Sequence, residues 1–106
     1  MASHKEYVAF ILEQFGEAEE VTARPMMGEY VIYCQGKVIG GVYDDRLLVK
    51  PTANAVKLMP EAPRVIPYDG AKEMLWVEEL DDRNFLRTLA EAMYEELPFP
   101  KKKKKR

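Results

Sequence analysis

The chain has almost no histidine or cysteine, two residues on which catalytic and metal sites are commonly built. One histidine, His4, and one cysteine, Cys34, occur in 106 residues. A lone cysteine excludes an internal disulfide and fits a reducing compartment. A lone histidine leaves no ligand-spaced pattern for a metal. No apolar run approaches the roughly 18 residues of a membrane span. The opening MASHKEY also lacks the basic-then-apolar layout of a signal peptide. A cytoplasmic protein with no membrane association is expected. No phosphate loop is present either: Gly40-Gly41 lacks the GxGxxG or GxxxxGK[ST] spacing. Positive charge is scarce outside the closing KKKKKR, where ten Lys/Arg stand against eighteen Asp/Glu. Such a body repels phosphate, so any nucleic-acid contact must rest on the tail or on a local patch.

What is present describes one small folded domain. At 47% hydrophobic and 32% charged residues, 106 residues hold one core and no second one. Ser3 and Glu6 have the spacing of a capping box, and Tyr7, Phe10, Ile11 and Phe15 follow at helical intervals, with Val8 and Leu12 widening the stripe. The spacing predicts a helix over 3–16, stopped by Gly16. Alternation then predicts strands over 21–27, 30–34, 37–43 and 46–50, with turns at Gly28-Glu29, Gln35-Gly36 and Asp44-Asp45. Pro25 marks the first strand as an edge or as bent. Gly40-Gly41 predicts a bulge or the close approach of another element. Pro51-Thr52 opens a short helix to about residue 59, which Pro60 ends. Pro63, Pro67 and the turn Tyr68-Asp69-Gly70 read as irregular. A last strand over 73–78 precedes a helix capped by Asp81 or Asp82, whose stripe runs through Phe85, Leu86, Leu89, Ala90, Met93, Tyr94 and Leu97. The order α-β-β-β-β-α-β-α is an α+β fold: an antiparallel sheet flanked by N- and C-terminal helices.

Few of these residues invite a chemical role. His4 is read as an exposed helix-start residue and Cys34 as a packed strand residue, with Lys37 near it across the hairpin. Asp44-Asp45 and Asp81-Asp82 are read as a turn and a helix cap rather than metal ligands. No catalytic set, metal site or cofactor is expected. The candidate interaction surface is Arg24, Glu29, Tyr43, Arg46 and Lys50, polar or amphipathic residues among the strands. Arg46, Leu48 and Lys50 share one strand face, opposite Leu47 and Val49. Lys101, Lys102, Lys103, Lys104, Lys105 and Arg106 form the candidate nucleic-acid contact. No aromatic residue interleaves that run, so the contact expected is weak, salt-sensitive and without base stacking. Otherwise the run is a disordered basic tail.

The wording of several segments is more specific than any of these patterns. RPMMGEY, then YCQGKVIGGVYDDRLLVKP, PYDGAKEMLWVEELDD and AMYEELPFPKKK, resemble the TfoX N-terminal domain family across about residues 5–100. The resemblance implies a secretion-chaperone-like α+β domain over residues 1–100 and supplies no catalytic residues. It also implies kinship with regulators of natural competence, transcriptional co-activators that act alongside the cyclic-AMP receptor protein. Those regulators carry a second domain of helix-hairpin-helix character. A chain of 106 residues is expected to keep only the partner-binding half. The expected function is therefore a non-enzymatic protein-interaction module with a protein partner, as monomer or homodimer. The alternative is nucleic-acid binding through the basic tail.

Overall fold

In a computed structural model that describes residues 3–16, 18 and 20–98, the first four strands run as a meander. They are β1 (Val21–Met26), β2 (Glu29–Cys34), β3 (Lys37–Val42) and β4 (Leu47–Val49). Each is antiparallel to the next. Two-residue loops join them at Met27-Gly28 and Gln35-Gly36, and Asp44-Asp45 closes the third hairpin; all six residues have positive φ. That is the type I′ turn, whose twist matches that of the paired strands. The first turn thus falls one residue earlier than the sequence suggests, on Met27-Gly28 rather than Gly28-Glu29, because Met26 still pairs with Glu29.

Pro25 lies inside β1, opposite Tyr30. The Gln35 amide donates to the Glu20 carbonyl at 2.9 Å, which sets the alternation of the ladder. Counting from it, position 25 would point its N–H away from β2. A proline there breaks no bond and blunts the sheet edge. In β3 the pairing slips between Ile32 and Tyr33, leaving Ile39 as an extra residue. Both glycine expectations are met. The bulge turns Ile39 into the core, and a Cβ on Gly40 would collide with the Leu48 carbonyl.

Helix α1 (Lys5–Gln14) precedes the meander; α2 (Ala53–Leu58), β5 (Arg64–Val65), β6 (Met74–Trp76) and α3 (Arg83–Glu96) follow it. The sheet order is β1-β2-β3-β4-β6-β5, with every neighbouring pair antiparallel. This is the expected α+β arrangement, with one addition. Two residues of the proline-rich stretch, Arg64 and Val65, pair with Leu75 and Met74 as an edge strand.

The three helices supply one layer of the core. From α1 it takes Val8 and Ile11 with the C-cap Phe15, from α2 Ala55, and from α3 Leu86, Leu89, Ala90 and Met93. Ile32, Cys34, Ile39, Leu47, Val49 and Leu75 meet them from the sheet. Asp82 caps α3 by accepting from the Phe85 amide at 3.0 Å, and Thr52 caps α2 by accepting from the Ala55 amide at 3.1 Å. Two details of α1 differ from the sequence expectation. Phe10 is 38% exposed, since the buried stripe follows Val8–Ile11–Phe15 and turns position 10 outward. The N-cap is His4, and no side chain caps the helix. Ser3 is drawn off to the β3–β4 turn, where its hydroxyl donates to Glu29 Oε1 at 2.6 Å and accepts from the Asp45 amide at 3.0 Å.

Candidate functional site

Among the described residues, all three helices pack on one side of the sheet and none on the other. Strand register decides which side chains stand there. Arg24, Val31, Gly41, Leu48 and Trp76 pair in succession and form one row across five strands. Arg46 and Lys50 flank Leu48 on the same face, as alternation predicts. Leu48 itself is fully buried. Arg24 stacks its guanidinium 5.8 Å from the centre of the Tyr33 ring, and Arg46 stacks 5.5 Å from that of Trp76. The Arg46 Nε–H also donates to the Tyr43 carbonyl at 3.3 Å.

Tyr43 forms the floor of this face. It is 8% exposed, and its ring covers the place where a Cβ on Gly41 would stand. Burial, followed by the neighbouring Tyr68 and Glu29, pushes its phenol above the ordinary value. The Tyr68 ring lies 6.0 Å from it at a tilt of 52°. Residues 66–73, between β5 and β6, bring Pro67 and Tyr68 over the sheet. An open cleft of about 630 Å³ runs between this segment and the β1–β2 turn, lined by Met26, Met27, Gly28, Glu29, Tyr43 and Tyr68. A second cleft of about 410 Å³ shares Tyr43, Pro67 and Tyr68 and continues over Val31, Val38 and Met74 between Lys50 and Lys72.

The five residues of the expected interaction surface thus stand on one sheet face, with different duties. Tyr43 is floor, and Arg24, Arg46 and Lys50 are spread across the sheet. The Glu29 carboxylate accepts from the Asp44 amide at 3.1 and 3.2 Å as well as from Ser3, and so holds the β3–β4 turn. The expected nucleic-acid contact, Lys101 to Arg106, lies outside the described residues.

Sequence reasoning passed over the apolar part of the site. Met27 is 95% exposed, Ile66 and Tyr68 56% each, and Met26 42%. These four lie on the two segments that border the first cleft. The signal was present as two consecutive methionines before the glycine of a hairpin turn. Nothing in a strand pattern says that such residues will stay in solvent.

The residues with the most chemical potential are otherwise engaged. Cys34 is fully buried in the core. Lys37, paired with it across the hairpin, reaches α3, where its ammonium donates to the Tyr94 carbonyl at 2.9 Å and sits 3.9 Å from the ring centre. His4 Nδ1 lies 2.6 Å from Asp45 Oδ2, and its backbone amide donates to Asp45 Oδ1 at 2.8 Å. The hydrogen bond and charge of Asp45 raise the imidazole above its ordinary value, and the two bonds from His4 hold the Asp45 carboxyl below its own.

Comparison with known proteins places this arrangement. The TfoX N-terminal domain family matches residues 13–97. A protein of Spirochaeta aurantia, described as an uncharacterized 12.7 kDa protein in the trpE 5′ region, is 36% identical over 107 residues, covering 98% of this chain and 91% of the relative. No solved structure matches.

Proposed function

The chain belongs to the TfoX N-terminal domain family, a family linked to competence regulation, and from that premise we propose that it is a non-enzymatic protein-interaction module. It engages a protein partner through the cleft between the β1–β2 turn and Tyr68. One observation carries this reading: three of the six exposed large hydrophobic residues among the described residues, Met26, Met27 and Tyr68, line one cleft. Large apolar side chains cost free energy in water, and a cluster of them with an aromatic floor has the make-up of a contact surface. Methionine suits such a surface because its flexible thioether adapts to the shape it meets. The backbone supports the reading too. Met27 has φ +52°, a left-handed conformation that few residues other than glycine and asparagine adopt readily. The type I′ turn demands that φ, as it does at Gln35, so what the sequence selects at position 27 is the side chain, an exposed thioether where asparagine would be easier.

Site-specific photocross-linking in the native host tests this. A photoreactive residue at position 27 is expected to trap a discrete protein partner, whereas one at Thr88, exposed on α3, traps none. Equal trapping at both positions, or none at 27, rejects the reading. Trapping of nucleic acid in place of protein returns the function to the basic tail.

A further inference from the structure

We propose that the helix-free face receives an extended peptide segment of a partner protein, one in which apolar side chains are flanked by carboxylates. The proposal rests on the interaction reading above and names the chemistry of its partner.

Charge is the first argument. Arg24, Arg46, Lys50 and Lys72 stand on or beside this face, four of the ten Lys/Arg among residues 1–100. Its nearby acids are Glu29, Asp44, Asp69 and Glu73, four of eighteen Asp/Glu. Two of these four are partnered. The Glu29 carboxylate serves the Asp44 amide and Ser3, and Glu73 lies 3.8 Å from Arg64. Among residues 1–100, negative charge is therefore concentrated away from this face. A carboxylate-bearing segment is attracted to this face and repelled by the rest of residues 1–100.

The second argument is the groove itself. Two clefts of about 630 and 410 Å³ meet at Tyr43, Pro67 and Tyr68. Val31, Val38, Tyr43 and Met74 form an apolar floor between Lys50 and Lys72. A bilobed groove of this kind accepts side chains that arrive singly, every second residue, from an extended chain.

The aromatic residues separate a peptide from single-stranded nucleic acid. Base stacking needs open ring faces. Here Tyr43 is 8% exposed, Arg24 lies over the Tyr33 ring and Arg46 over that of Trp76, and the one ring left open among these, Tyr68, gives no platform for successive bases. What remains open is aliphatic and thioether surface beside Tyr68, which suits apolar side chains.

The test is fluorescence anisotropy with four labelled probes. They are a short peptide alternating Glu with Leu, its Lys/Leu and Glu/Ser counterparts, and an oligothymidine of similar length. The Glu/Leu peptide is expected to bind at least about tenfold more tightly than each of the others, and to shift the backbone amide resonances of Val31, Val38, Tyr43 and Met74. Lys50→Glu combined with Lys72→Glu is expected to weaken it about tenfold. Tyr68→Ala, at a 56% exposed position, is expected to weaken it without loss of the fold. Comparable binding of the Glu/Ser peptide reduces the face to a charged surface and overturns the proposal. Preference for the Lys/Leu peptide or the oligothymidine, or no saturable binding of the Glu/Leu peptide, overturns it as well. Cross-linking at position 27 still decides the interaction reading, so the two fail separately.

Discussion

Gly41 shows how much a single position decides on the helix-free face. A Cβ there would stand 2.5 Å from the Tyr30 carbonyl oxygen and 2.7 Å from the Tyr43 ring. Tyr43 can fold over the sheet only because that volume is empty. Gly41→Ala is expected to cost about 1–3 kcal/mol, as overpacking does, and to expose Tyr43; denaturant titration and tyrosine fluorescence check it. At the surface, His4 and Asp45 tie the start of α1 to the β3–β4 turn. The histidine is raised above 6.5, so its contribution is full below 6.5 and fades as pH rises through its folded value. The aspartate is lowered below 3.8, so its contribution is present above 3.8 and fades as pH falls through its folded value. The link is therefore complete between these two values. An NMR titration is expected to place His4 above 6.5, and Asp45→Asn to bring it down. A His4 value unchanged by Asp45→Asn would show that the two do not interact in solution.

At the scale of elements, α3 follows the 3.6-residue period closely. Leu86, Leu89, Ala90 and Met93 are buried, while Arg87, Thr88 and Glu91 between them are exposed. Leu89→Ala is expected to destabilise the fold by about 2–5 kcal/mol in chemical denaturation. A loss under about half a kilocalorie would mean that the cavity closes, an outcome below the range such substitutions give. The β1–β2 hairpin obeys a different demand. Met27 is 95% exposed at φ +52°, where asparagine before glycine would suit a type I′ turn. Met27→Asn is expected to raise stability by up to about 1 kcal/mol while reducing partner capture, a trade of contact for local comfort. If Met27→Asn lowers the thermal midpoint, the methionine serves the fold and its role as a contact residue falls.

For the molecule as a whole, charge and layer order work together. Helices cover one sheet face, four of the ten Lys/Arg among residues 1–100 stand on or beside the other, and most Asp/Glu lie away from it. Deleting residues 101–106 leaves ten Lys/Arg against eighteen Asp/Glu, so the formal net charge moves from −2 to −8. The deleted run has no apolar side chain to bury, so the thermal midpoint is expected to stay nearly unchanged. A large drop would place the run against the folded body. Much of the architecture was determined by the sequence alone. Period-two alternation, two of the three turn pairs and the stripe of α3 follow from local backbone preferences and side-chain hydrophobicity, which act over a few residues. Tertiary structure alone decided that Phe10 faces out, that Ser3 leaves its helix for the β3–β4 turn, and that Arg64 and Val65 form an edge strand. It also decided that Met27 and Tyr68, distant in the chain, border one cleft. Each of these depends on partners far away in sequence, and a local pattern carries no information about which distant residue will arrive.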